Sequence, residues 1–201
     1  MDSHVAGPPS QCTTALKEWA TVLEALGRGE QLVLIRKGGL IEPGSGFDLL
    51  APSFVFYPTF EHQAVNYLRM SYQRYFDEAL RRRPPEGHIR IELFGVAVSS
   101  VQSSDPAIVE RLQGFHVYNQ EFLSQRLKWQ PDQPLMVVVV RAFRLPAPHM
   151  LTVIPRYAGC KSWVELDSPI SLSGARPVLD EAAFQRRVKT LTPLLVSQPT
   201  Q

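Results

Sequence analysis

The apolar residues of this chain fall in short runs, and the longest, residues 135–140, has only six members. A membrane-spanning helix needs roughly 20 apolar residues in a row, so the chain reads as a soluble protein with no membrane partner. Runs this short read instead as strands between turn residues. Residues 31–35 form one, and the unbroken apolar stretch from Leu32 to Ile35 points to burial on both faces. A second, Phe54-Val55-Phe56-Tyr57, stops at Pro58. Residues 88–98 carry the clearest strand signal, since Ile89, Ile91 and Leu93 alternate with Arg90 and Glu92 and side chains alternate between the faces of a strand. Residues 135–143 and 151–154 read as two strands joined by a Pro-rich turn, and 162–166 as a further short one.

Helical spacing appears between these runs. Over residues 14–26, Leu16, Trp19, Leu23 and Leu26 share one helical face, and Gly27 and Gly29 follow. A longer helix is expected over 62–83, with Val65, Leu68, Tyr72, Phe76 and Ala79 inward and Pro84-Pro85 as its stop. Thr59 would cap it, with Glu61 in its first turn. Asp105-Pro106 has the form of a cap followed by proline at the first helical position. Asn119 and Asp180 are placed to cap two further helices, the last turning Phe184, Val188, Leu191 and Leu195 inward.

Helices and strands that interleave irregularly, with short links between neighbouring strands, favour an α+β fold: a mixed or mostly antiparallel sheet with helices packed on it. Residues 1–12 read as a flexible N-terminal tail and 13–197 as one globular domain, since no repeat or composition break marks a second. Apolar residues make up 44% of the 201, enough for a substantial core.

Charge decides little by itself, with 21 basic and 19 acidic side chains. The basic set is skewed to 16 arginines against 5 lysines, and the guanidinium fork suits carboxylate and phosphate. Ordinary surface usage is the simpler explanation. The two cysteines, Cys12 and Cys160, lie far apart and no signal peptide precedes them. Reduced thiols and a cytoplasmic setting are therefore expected.

Known chemical signatures are missing. There is no Gly-Lys pair for a phosphate-binding loop, and Gly44-Ser45-Gly46 is followed by Leu49 where a dinucleotide fingerprint needs glycine. No nucleophile elbow or paired-histidine helix occurs, and two cysteines with five scattered histidines make no metal site. No cofactor is expected. None of the lysines follows an acidic residue by two positions, which excludes the Asp/Glu-x-Lys core of a common metal-dependent nuclease.

Three polar clusters remain. Arg36-Lys37-Gly38-Gly39 sits where a buried strand meets a turn, a place for an anion contact or simply a solvated strand end. Glu61-His62 follows Tyr57-Pro58-Thr59, and a histidine side chain such as His62 can donate to phosphate or base. Residues 157–166 bring Cys160, Lys161, Ser162 and Trp163 together. Cys160 is a candidate nucleophile beside Lys161, with a small buried core residue as its plainer role. Trp163 is a core residue or a stacking platform, and Arg141 and Arg144 flank the most apolar strand.

The stretches ALKEWATVLEALGRGEQLVLIRKGG (15–39), FVFYPTFEHQ (54–63) and GCKSWVEL (159–166) resemble a bacterial family known as domain of unknown function 1802, over nearly the whole chain after the tail. The resemblance carries no activity or catalytic residue with it. Some relatives are associated with a restriction-endonuclease-type domain, which implies a loose link to restriction–modification and a nuclease partner. The leading expectation is a binding module for nucleic acid or an anionic, nucleotide-like ligand, and not an enzyme. Arg36, Lys37 and His62 would make its contacts, with Arg141 and Trp163 behind them. One alternative is a small hydrolase using Glu61, His62 and Cys160. The other is a protein-interaction or structural domain.

Overall fold

Two long strands organise the molecule: β4 (His88–Ser103) and β5 (Leu135–Thr152) run antiparallel and pair along their whole length. The computed structural model describes residues 9–37, 49 and 51–196. Ile89, Ile91 and Leu93 are buried as their alternation requires, with Arg90 and Glu92 between them partly exposed. The Pro-rich turn expected after residue 143 is not a turn. Leu93 faces Arg144 and Ile91 faces His149, so Leu145, Pro146, Ala147 and Pro148 bulge against the single Glu92. Proline lacks the N–H a regular ladder needs and is accommodated at such bulges. One strand therefore continues where two were expected.

Five more strands complete the sheet: β1 (Gln11–Trp19), β2 (Val33–Arg36), β3 (Ser53–Thr59), β6 (Trp163–Ser171) and β7 (Arg176–Pro177). The order is β2-β5-β4-β3-β1-β6, with β7 also on β5. Among the described residues only β1 and β3 pair in parallel. The fold is thus α+β with a mixed, mostly antiparallel sheet. Gln11 and Cys12, assigned to the tail from sequence, already belong to β1, and residues 1–8 lie outside the described residues, as do Gly38, Gly39 and the Gly44-Ser45-Gly46 segment.

Two helix expectations are corrected. Residues 14–19 belong to β1, and α1 (Ala20–Leu26) supplies only the second half of the proposed helix. Leu16 and Ala15 are both fully buried, on opposite faces of the sheet, one in each of its two apolar clusters. Pairing with β3 and β6 overrides the helical propensity of Ala-Leu-Lys-Glu. Between 62 and 83 only α2 (Gln73–Arg81) is α-helical, after two short 3₁₀ turns, Val65–Tyr67 and Met70–Tyr72. The backbone of this segment bonds sideways instead: Arg69 N donates to Val117 O and Asn119 N to Tyr67 O. Thr59 is not a cap; it ends β3 and donates to Glu18 O.

The remaining helices are α3 (Ile108–Arg111), α4 (Gln120–Lys128) and α5 (Glu181–Leu195). Asn119 accepts from Phe122 N at 3.1 Å and Asp180 from Ala183 N at 2.7 Å, so both expected caps form. Among the described residues no helix is long and apolar enough to cross a membrane.

Both faces of the sheet are covered. One cluster joins Leu16, Phe54, Phe56 and the β5 valines to the helices; the other gathers Val55, Tyr57, Ile91 and Phe94 on the opposite face. Gly95 makes this packing possible, because a methyl group there would lie 2.8 Å from the Phe56 ring. In sheet order β5, β4 and β3 separate β2 from β1, yet Arg36 of β2 bonds to Lys17 O and Glu18 of β1. The sheet therefore curls back on itself, as twisted sheets with bulged long strands do, and Arg36 spans the gap.

Candidate ligand-binding cleft

The curl brings the end of β1 against α4 and the loop that precedes β6. Between them lies a cleft of about 310 Å³, whose polar wall includes Lys17, Glu18, Arg36, Glu61, His62 and Lys161. β1 places Lys17, Glu18 and Trp19 there, the segment after β3 contributes Glu61 and His62, and the turn before β6 contributes Cys160, Lys161 and Ser162.

Its floor is built around a buried ion pair. Arg36 donates to Glu18 Oε2 at 3.2 Å, to Lys17 O at 3.3 Å and to Ser162 Oγ at 2.7 Å. Glu18 Oε1 accepts from Trp19 N at 2.8 Å. Both side chains are largely withdrawn from water, 13% and 5% exposed. The pair thus neutralises itself and braces the curl.

The other cations are arranged differently. Lys17 Nζ donates to Gly159 O at 2.9 Å and lies 5.4 Å from the Tyr57 ring centre. Burial, and then the nearby Lys161 charge, push its ammonium below the usual lysine range. Lys161 donates to Arg156 O. Arg126 of α4 is held by rings, its guanidinium 5.5 Å from Phe122 and 5.8 Å from Trp129. Its Nε is buried without a partner. Burial and the charge of Arg36 both act against its protonated form, although a guanidinium stays charged in proteins. Among the described residues none of Lys17, Arg126 and Lys161 has a carboxylate within ion-pair distance.

Aromatic side chains form the opposite wall. Trp19 meets Phe122 edge-on at 5.1 Å and Tyr118 at 5.8 Å, and lies nearly parallel to Tyr67 at 6.3 Å. Tyr118 stacks on Phe122 at 4.2 Å. Burial drives the Tyr118 hydroxyl well above its ordinary range, and the Glu18 charge adds to this. It stays a neutral phenol. Beneath the cleft, Gln31 ties Val33 O to Val117 N. His116 fixes the same segment, with Nε2 on Val109 O and Nδ1 accepting from Tyr118 N. Burial lowers the His116 pKa to about 4.

Of the residues singled out from sequence, Arg36, Glu61, His62 and Cys160 all line this cleft. Cys160 is exposed, while Cys12 is the buried thiol, so the plainer role as a core residue does not describe it. His62 stands at φ 61°, the left-handed region, and so cannot sit in the first turn of a helix. Among the described residues no hydrogen bond links Glu61, His62 and Cys160, and no group of three or more His, Cys, Asp or Glu is arranged to hold a metal ion.

The others lie elsewhere. Lys37 points away, buried, with Nζ donating to Leu127 O at 2.8 Å. Arg141 pairs with Glu181 at 2.7 Å beside Phe184. Trp163 is in the core, edge-on to Phe54 at 5.3 Å.

Sequence reasoning missed Lys17, Glu18, Trp19, Arg126 and Trp129. The spacing of residues 14–26 puts the Lys-Glu-Trp triplet in a helix, where the three side chains diverge, whereas it lies at the end of β1. Arg126 and Trp129 carry no signal until α4 is docked.

No curated protein matches the sequence. A similar solved structure is a mutant ZmASCH protein from Zymomonas mobilis, 11% identical, with 90% of this chain and 98% of that chain covered and a TM-score of 0.44. The family described as Domain of unknown function (DUF1802) matches residues 15–190, and the chain belongs to it.

Proposed function

We propose that the cleft binds a nucleotide unit, its base against the indole rings and its phosphate among the cations. The observation that carries this is one cavity that holds Trp19 and Trp129 together with Lys17, Lys161 and Arg126, none of the three cations ion-paired among the described residues. A planar apolar group and an anion are what such walls recognise. Base–aromatic stacking contributes about 1–3 kcal/mol per base, and an ammonium or guanidinium supplies the charge-assisted bonds a phosphate needs. Arg36 serves mainly to hold Glu18 and the floor, and Lys37 takes no part.

The test is anisotropy of labelled single-stranded RNA and DNA at two salt concentrations, with nucleotide titrations followed by tryptophan fluorescence. Lys17→Met with Lys161→Ala should weaken binding and reduce the salt slope by about 0.7, the contribution of one phosphate contact on a single strand. Trp129→Ala should weaken it about 5- to 150-fold without changing that slope. Absence of binding at low salt, or unchanged affinity in the double variant, would overturn the proposal.

A second reading rests on Glu61, His62 and Cys160 sharing the cleft wall. Here His62 would take the proton of a water that attacks a bound ester and pass it to the alcohol that leaves as the ester bond breaks, with Glu61 and Cys160 beside it. Its test is turnover of RNA or phosphodiester substrates by the protein and by His62→Ala. Equal rates would remove it.

A further inference from the structure

The cleft does not end at the indoles. A second cavity of about 500 Å³ adjoins it, and Trp19, His62, Phe122, Arg126 and Trp129 belong to both. Each cavity falls within the roughly 300–1,000 Å³ that ligand sites occupy. Their polar linings differ. The first has Lys17, Arg36 and Lys161, whereas the second adds Gln63, Gln125 and Tyr67 and no cation of its own. Tyr67 Oη donates to Gln125 Oε1 at 2.9 Å. Gln63 is fixed by Thr21, whose N and Oγ1 both donate to its Oε1 at 3.3 and 3.1 Å.

Arg126 stands where the two cavities meet. Its Nε is enclosed without an acceptor. Among the described residues no acceptor is recorded for its terminal nitrogens either, and those nitrogens are not enclosed. The rings of Phe122 and Trp129 hold it in place, and among the described residues no carboxylate lies within ion-pair distance of it. A charged fork at the junction of two ring-walled cavities, with cations on one side and neutral amides on the other, matches a repeating ligand. A phosphate would bridge at Arg126, with one base on each side.

From this arrangement we infer that the ligand is an unpaired run of at least two nucleotides, the second lying in the amide-lined cavity with its linking phosphate on Arg126. The inference rests on the nucleotide reading above and extends it. The strand must be unpaired, because bases within a duplex have their faces covered by neighbours and cannot reach rings recessed in a cleft.

The experiment compares a mononucleotide, the matching dinucleotide with one internal phosphate, a five-residue single strand and a hairpin duplex. Each is titrated into the full chain, in ribose and deoxyribose forms. The dinucleotide should bind at least about tenfold more tightly than the mononucleotide, within the roughly 5- to 150-fold a stacked base contributes, and the hairpin more weakly than the five-residue strand. Ala64→Phe fills the second cavity from a half-exposed position with extended backbone (φ −143°, ψ 141°). It should abolish the dinucleotide gain and leave mononucleotide affinity unchanged; Gln125→Ala, at an exposed position, should reduce the gain. Equal affinity for mono- and dinucleotide, a gain that survives Ala64→Phe, or preference for the hairpin overturns this inference alone. Failure of every nucleotide to bind overturns the underlying reading with it.

Discussion

Arg36→Met isolates the feature on which the cleft depends. The guanidinium makes hydrogen bonds to Glu18 Oε2, Ser162 Oγ and Lys17 O, and Glu18 is only 5% exposed. Methionine keeps most of the volume but leaves the carboxylate buried with Trp19 N–H among its remaining donors. Removing one partner of a buried pair costs about 3–5 kcal/mol, a large part of the roughly 5–15 kcal/mol that holds a domain folded. Most of this comes from the stranded charge, so it should fall when Glu18 is neutralised too. In the double variant Arg36→Met/Glu18→Gln the amide oxygen can still accept from Trp19, and the loss should shrink by at least about 1.5 kcal/mol. Urea unfolding of wild type, both single variants and the double variant closes the cycle. Hydrogen exchange should show early opening of β2 and of the first residues of β6, which this side chain ties to β1. A single-variant cost below about 1 kcal/mol, or additive effects in the double variant, would refute both the stranded-charge argument and the claim that Arg36 closes the curl.

Two other perturbations test the scaffold. The His116 pKa, ordinarily about 6.5, is lowered to about 4 by burial. The unfolded chain therefore takes up a proton below pH 6.5 that the folded protein refuses until about pH 4. Stability should be flat above pH 7, fall between 6.5 and 4, and lose about 2 kcal/mol from this residue between pH 7 and 5. Urea midpoints at those two pH values check it: His116→Gln should begin less stable but lose less on acidification, and an identical pH slope in the variant would sink the assignment. Gly95→Ala sets a methyl group 2.8 Å from the buried Phe56 ring and 3.0 Å from Val140. Overpacking of this kind costs about 1–3 kcal/mol, which thermal unfolding would show as a lower Tm; Phe56→Leu in the same chain should recover part of it, and a variant as stable as wild type would contradict the packing.

What the sequence determined by itself was the class of fold and the elements with strong local signals. The alternation at Ile89, Ile91 and Leu93 made a half-buried strand, and Asn119 and Asp180 capped helices because a side-chain oxygen three residues before an unsatisfied N–H needs no distant partner. Arg36, Glu61, His62 and Cys160 were legible as chemistry, grouped as Arg36 with His62 in one reading and as Glu61, His62 and Cys160 in another, but their chain positions could not say whether all four share one site. Tertiary structure decided that. Ala15 to Trp19 has helical spacing and helical propensity, yet it becomes a strand because β3 and β6 offer hydrogen bonds and two apolar faces at once. That one change turns Lys17, Glu18 and Trp19 from scattered positions on a helix into the wall of the cleft. Lys37 went the other way: just past the end of β2, its ammonium is buried on Leu127 O of α4 and does not line the cleft. The cleft itself exists only because the curled sheet returns β2 to β1, a long-range closure that no local stretch of sequence encodes.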